Sequence, residues 1–263
     1  MDQGIRYIFS INTGRSGSHY LATLFEHVSG CRSFHEPQPI GNAEAMRRFA
    51  RGDCGAMERL AVRKAEAICG ALSGGRVYHE SNHCFIKGFG WFISRHLPEE
   101  QIGVIILKRD KAEIAASLLR IGCSPLDPLG WDWILTPDIA SPLVTPPIGP
   151  LALQLLRRLK SGWRRAGDLC RSWFGVELGL PRWLVACELK CLGWYVDETH
   201  ARAEAFKRAF PLIRYYEVSL EELNDAASVR KMMAHFGCQA QSTLKDCIGR
   251  RTNLKIADAD AGA

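Results

Sequence analysis

The chain of 263 residues contains no Gly-Lys-Ser or Gly-Lys-Thr. A triphosphate-hydrolysing loop of the usual kind would therefore lack its lysine and its magnesium-binding hydroxyl. No run of 18 apolar residues occurs, which excludes a helical membrane span. Met1 to Arg6 lacks the charged and apolar regions of a secretion signal, so the expected location is the cytoplasm. Ten cysteines are scattered without a single C-x-x-C, the pattern of reduced, mostly buried thiols. His79, His83 and Cys84 are close in sequence, but no second pair has zinc-like spacing, and no metal is expected. A net charge of +6 would draw in a polyanion and is too small to argue for nucleic acid. No internal repeat is present. A hydrophobic content of 47% fits one globular domain over residues 1–263.

What is present begins near the N-terminus. Tyr7-Ile8-Phe9-Ser10-Ile11 reads as a strand. Leu21, Leu24, Phe25 and Val28 form one apolar face of a helix. Between them lies Thr13-Gly14-Arg15-Ser16-Gly17-Ser18, followed by His19. A glycine-containing turn from strand to helix aims backbone N–H groups and a positive helix end at one point, which suits phosphate or sulfate. Ser16 and Ser18 add hydroxyls, and Arg15 adds a fixed cation. The plain alternative is an ordinary turn with a serine cap.

Further strands are expected at 31–36, 77–80, 102–109 and 212–218, and helices at 43–72, 151–174, 183–209 and 226–236. A helical reading of 83–96 is interrupted by Gly88 and Gly90. This alternation predicts an α/β fold of three layers, with a mostly parallel central sheet flanked by helices. Residues 121–150 hold seven prolines with Trp131 and Trp133, too proline-rich for helix or strand, and read as a substrate lid or binding loop. Residues 254–263 read as a tail. Within 151–174, Leu151, Leu155, Leu159 and Trp163 recur at i+4 steps, with basic residues mostly elsewhere on the wheel. That stripe is expected to pack on the core, with a membrane surface or an anionic acceptor as alternatives.

The loop at 13–18 resembles the 5′-phosphosulfate loop of the sulfotransferase family, in which Lys or Arg precedes Ser-Gly-Thr/Ser. Arg109, at the end of the Ile102–Lys108 run, and Ser117, eight residues on, resemble that family's 3′-phosphate signature. Tyr216-Glu217, with Ser219 and Glu222 as a capping box, is similar to the family's late strand and helix. The resemblance implies a P-loop type of nucleotide-binding fold. It implies the donor PAPS, 3′-phosphoadenosine 5′-phosphosulfate, bound by Gly14, Arg15, Ser16, Gly17, Ser18, His19, Arg109 and Ser117. Arg251 is a further candidate contact to the 3′-phosphate. The acceptor would be a hydroxyl on a small molecule, lipid or carbohydrate, and no metal is implied.

The catalytic candidates are Arg15, Glu36, His35 and His83. Arg15 would stabilise charge on the bridging oxygen. His35-Glu36-Pro37 resembles the strand-end Glu-Pro of carbohydrate sulfotransferases, where Glu is the general base. If strands 1 and 2 are neighbours, Glu36 lies beside the loop. His35 and His83 are alternative bases. Other readings are a nucleotide-dependent phosphotransferase on the same superfold and a non-catalytic nucleotide-binding protein.

Overall fold

The computed structural model describes residues 4–72 and 76–249. It divides into two compact units: residues 1–41, 57–109 and 203–263, and residues 42–56 and 110–202.

The first unit is built on five parallel strands: β1 (Tyr7–Ile11), β2 (Cys31–His35), β3 (Val77–Ser81), β4 (Ile102–Lys108) and β5 (Arg214–Ser219), in the order β2-β3-β1-β4-β5. All five expected strands form. β1 is buried throughout, and β4 is buried except at Lys108, as continuous apolar runs in the middle of a parallel sheet require. The edge strands β2 and β5 are only partly covered. Because every pairing is parallel, all five carboxyl ends lie along one edge of the sheet.

Helix α1 (Ser18–Glu26) buries Leu21, Leu24 and Phe25 as its periodicity predicts. They join Ile8, Ile105 and residues of α9 (Ala226–His235), Val229, Met232 and Met233, in one core cluster. A second cluster is aromatic: Phe85 stacks on Phe9 with ring centres 4.9 Å apart and meets Phe206 edge-on at 5.4 Å. The expected helix over 83–96 is reduced to α4 (Gly90–Ile93), preceded by turns. The capping box is present: the Ser219 N–H donates to Glu222 at 2.7 Å, and the Glu222 N–H donates to the Ser219 hydroxyl at 3.2 Å. It opens a single short helical turn at Glu222–Asn224.

The expected helix over 43–72 is two helices, α2 (Ala43–Ala50) and α3 (Gly55–Ala71). α2 belongs to the second unit, with α5 (Lys111–Arg120), α6 (Pro128–Trp133), α7 (Pro150–Phe174) and most of α8 (Arg182–Ala209). Ile114, Leu118, Ile134, Leu192 and Tyr195 form its main cluster. The proline-rich stretch does contain a helix: α6 starts at Pro128, where the missing N–H costs nothing. The rest is pinned by side chains. Glu198 accepts the N–H groups of Leu143 and Val144, both at 2.9 Å, and Trp194 donates to the Val144 carbonyl at 2.9 Å. Lys160, fully buried, pairs with Asp127 at 2.7 Å and with Glu188.

The stripe on α7 differs from expectation. Leu153, Leu156 and Lys160 turn inward, whereas Leu151, Leu155, Leu159 and Trp163 are exposed. Of the ten cysteines, all free thiols, only Cys84, Cys123, Cys191 and Cys238 are buried.

Candidate functional site

The loop after β1 leaves the sheet through Asn12. The Asn12 amide donates to Ser10 at 2.8 Å, and its oxygen accepts the Gly14 N–H at 2.9 Å. Ser10 in turn meets Ser81 of β3 at 3.0 Å. This polar chain sets where the loop begins. Three of the next five residues are left-handed: Gly14 (φ 73°), Arg15 (φ 56°) and Gly17 (φ 97°). Gly17 is the N-cap of α1. A Cβ there would come within 2.5 Å of Leu220. Having no side chain, Gly17 leaves the first N–H groups of α1 without a capping acceptor of its own. Ser16 is fully buried, and its hydroxyl has no hydrogen-bond partner among the described residues. Arg109, at the end of β4, donates to the Arg15 carbonyl at 2.8 Å.

From the sequence, Glu36 lies beside the loop on the condition that β1 and β2 are neighbours, and that condition is not met. The structure inserts β3 between them, because β2 and β1 both pair with β3. Glu36 nevertheless stays close to the loop, through two histidines. Ser18 of α1 bonds His35 Nε2 at 3.1 Å, and His35 lies 3.9 Å from the Glu36 carboxylate. His83 packs its ring against the Gly14 backbone, where an added Cβ would sit 3.7 Å from Cγ. His83 Nε2 is 3.4 Å from Glu36 Oε1.

Lys87 donates to His83 Nδ1. An ammonium has only donors, so Nδ1 accepts and the ring proton sits on Nε2, the nitrogen that faces Glu36. The relay Lys87–His83–Glu36 thus fixes the imidazole tautomer and points a donor at the carboxylate. Glu36 itself has φ 50°, a costly conformation for a side-chain-bearing residue. Burial holds its carboxyl above the usual range, partly offset by the Lys87 charge.

Behind this site lies a buried ion pair. Lys64 and Glu80, both fully covered, meet at 2.7 Å. Tyr78 and Asn82 satisfy the same carboxylate at 2.6 and 2.8 Å. The free ends of the cluster hold the strand-end turn: Lys64 donates to the Pro37 carbonyl at 2.8 Å and Asn82 to that of Ile40 at 3.1 Å. These bonds hold the chain that follows Glu36.

Within the first unit the structure brings together Gly14, Arg15, Ser16, Gly17, Ser18, His35, Glu36, His83 and Arg109. His19 stacks edge-on with His35, ring centres 5.1 Å apart. Ser117 is buried on α5 of the second unit. Arg251 lies outside the described residues. Sequence reasoning missed Asn12, Lys64, Glu80 and Lys87. Only Lys87 left a signal there, an i+4 spacing from His83 within an apolar stretch.

The chain matches no protein-family model and no curated protein.

Two buried histidines, His79 and His83, and the part-exposed His35 predict acid lability. Burial lowers His35 to about 4, with His19 adding to the effect, and lowers His79 to about 3. Burial and then the Lys87 charge push His83 well below its ordinary value. Each is neutral in the fold and takes up a proton near pH 6.5 when unfolded. Their contribution is intact above about pH 6.5 and is lost as the pH falls from there towards 4. Unfolding midpoints recorded across that window should drop, with a slope of up to about 1.4 kcal/mol per pH unit for each of the buried His79 and His83, and less for His35, which water screens. A flat profile would mean that these rings reach water freely.

Proposed function

We propose that this protein is a sulfotransferase that moves a sulfuryl group from PAPS to an acceptor hydroxyl. One observation carries the reading. Two of the three left-handed non-glycine residues among those described are Arg15 and Glu36. Strain of this kind costs on the order of 1–3 kcal/mol per residue and clusters at functional sites. Here it falls on the residue suited to stabilise the leaving oxygen and on the residue suited to take the proton.

The donor fits the loop in chemical terms. Ser16 offers a buried, unpartnered hydroxyl, Gly17 admits close approach, and the start of α1 is electropositive. Strand order supports it too: β1 lies centrally with β3 and β4 on either side, and the loop follows its carboxyl end, where open parallel sheets bind ligands. In the step proposed, the acceptor oxygen bonds to sulfur as the bond from sulfur to the 5′-phosphate oxygen breaks. The electron pair leaves on the phosphate, beside Arg15. The acceptor proton passes to Glu36, oriented by His83. His35 is a weaker base candidate because its Nε2 is already engaged by Ser18.

The direct test is ligand binding. Adenosine 3′,5′-bisphosphate (PAP), the product, should stabilise the fold more than 5′-AMP, ATP or GTP in thermal-shift measurements. At a hundredfold excess over Kd the gain is about 2.7 kcal/mol. Arg109→Ala should cost PAP binding roughly 1.5–3 kcal/mol more than it costs AMP. Because Arg109 also holds the Arg15 carbonyl, some loss for AMP is expected. Equal losses for both nucleotides would leave Arg109 as loop scaffolding and remove the 3′-phosphate from the reading.

A further inference from the structure

We infer that the outer face of α7 is a docking surface for an anionic lipid bilayer. Leu151, Leu155, Leu159, Trp163, Leu169 and Trp173 line one side of this helix, and all six are exposed, Leu151 by 83% and Trp173 by 77%. The stripe from Leu151 to Trp173 is about 33 Å long at 1.5 Å per residue. The inward side of the helix is a separate one: Leu153, Leu156 and Lys160 turn into the second unit. Solvated helices normally keep such residues inward, so a continuous Leu/Trp stripe outward signals a partner.

Charge decides which partner. The α7 sequence carries six basic residues against a single acid, Asp168. Four of them are held in ion pairs, Arg157 with Asp138, the buried Lys160 with Asp127 and Glu188, Arg164 with Asp127 and Arg171 with Glu177, and the other two, Arg158 and Arg165, are exposed. Arg158 and Arg165 project from the helix edge that adjoins Leu151 and Leu169, by the helical repeat. An apolar stripe with aromatic rings and a basic flank is the pattern of a helix lying in the interface of an anionic membrane. A second copy of the chain docked antiparallel on this stripe would bring the two arginine edges together, and like charges across an interface are penalised. This inference is independent of the sulfotransferase reading, since α7 belongs to the second unit and carries none of the proposed chemistry.

The test is flotation of the full chain with lipid vesicles. The protein should float with phosphatidylglycerol-rich vesicles, stay behind with pure phosphatidylcholine, and be released by high salt. Leu155→Asn with Trp173→Asn should lower the partition on the order of a hundredfold, from the apolar surface removed. Arg158→Gln and Arg165→Gln should each lower it about fivefold on anionic vesicles only. All four positions are exposed, so unchanged thermal midpoints verify that the variants fold. Two results overturn the inference: no flotation with anionic vesicles, or flotation that the stripe variants leave unchanged. A concentration-dependent dimer that Leu155→Asn dissolves, without vesicle binding, assigns the stripe to a second copy and overturns it equally.

Discussion

Glu36→Gln should reduce turnover about 10²–10⁴-fold while leaving PAP affinity nearly unchanged. That range is what a positioned general base contributes. The substitution keeps the shape of the side chain and removes its negative charge, which in the proposed step serves the acceptor and not the anionic donor. It should also stabilise the protein at neutral pH. Burial raises the Glu36 pKa, so the folded state disfavours the ionised carboxylate. This penalty is absent below the unfolded value of about 4.3 and grows as the pH rises through the folded one. The variant's gain in unfolding midpoint should therefore be present at neutral pH and vanish in acid, opposite in direction to the histidine effect. Lys87→Met, made in parallel, tests the relay. If Lys87 sets the His83 tautomer, its loss lowers kcat and shifts the pH profile of kcat/KM without changing PAP binding. Normal turnover in Glu36→Gln with a dead His83→Ala moves the base to His83. Normal turnover in both, and in His35→Ala, sinks the site as drawn.

Much of the scaffold was legible before any coordinates. The apolar runs at Tyr7–Ile11 and Ile102–Leu107 gave the central strands β1 and β4, and the Leu21–Leu24–Phe25 spacing gave the buried face of α1, because burial on both sides of a parallel sheet and on one side of a helix leaves distinct patterns. The order of the strands was not legible. Placing β3 between β2 and β1 depends on pairings between residues far apart in sequence, and nothing near Glu36 announces them. The left-handed backbones at Arg15 and Glu36 were equally hidden, since neither position carries the glycine that usually marks φ > 0. Lys64, Lys87 and Lys160 read as solvated charges in a sequence and are all buried here, each against an acid or an imidazole. On α7 the error ran the other way. An i+4 leucine stripe is taken to face inward, but the inward face of this helix is the less regular one through Leu153, Leu156 and Lys160.

Glu80→Ala should destabilise the protein by roughly 3–5 kcal/mol, the cost of stranding one member of a buried ion pair. Lys64 would keep the Pro37 carbonyl at 2.8 Å but lose its only acidic partner among the described contacts. Burial already pulls the Lys64 pKa down, and Glu80 is what opposes that pull. Tyr78 and Asn82 would each lose an acceptor in a closed environment, adding to the penalty. Chemical denaturation reads the loss as a lower midpoint. Lys64→Met alone should also destabilise, because Glu80 then keeps two neutral donors and no counter-charge. Combined in one chain, Lys64→Met and Glu80→Leu should cost less than the sum of the two single changes, with a coupling of about 0.5–3 kcal/mol. The same variants report on the site, because Lys64 and Asn82 hold the turn that follows Glu36. Turnover should fall in Glu80→Ala even at temperatures where the variant stays folded, with kcat affected more than KM. A Glu80→Ala protein as stable as the parent would show that the pair is spectator to the fold. One that is destabilised yet turns over normally while folded would show that the Glu36 turn is held by something else.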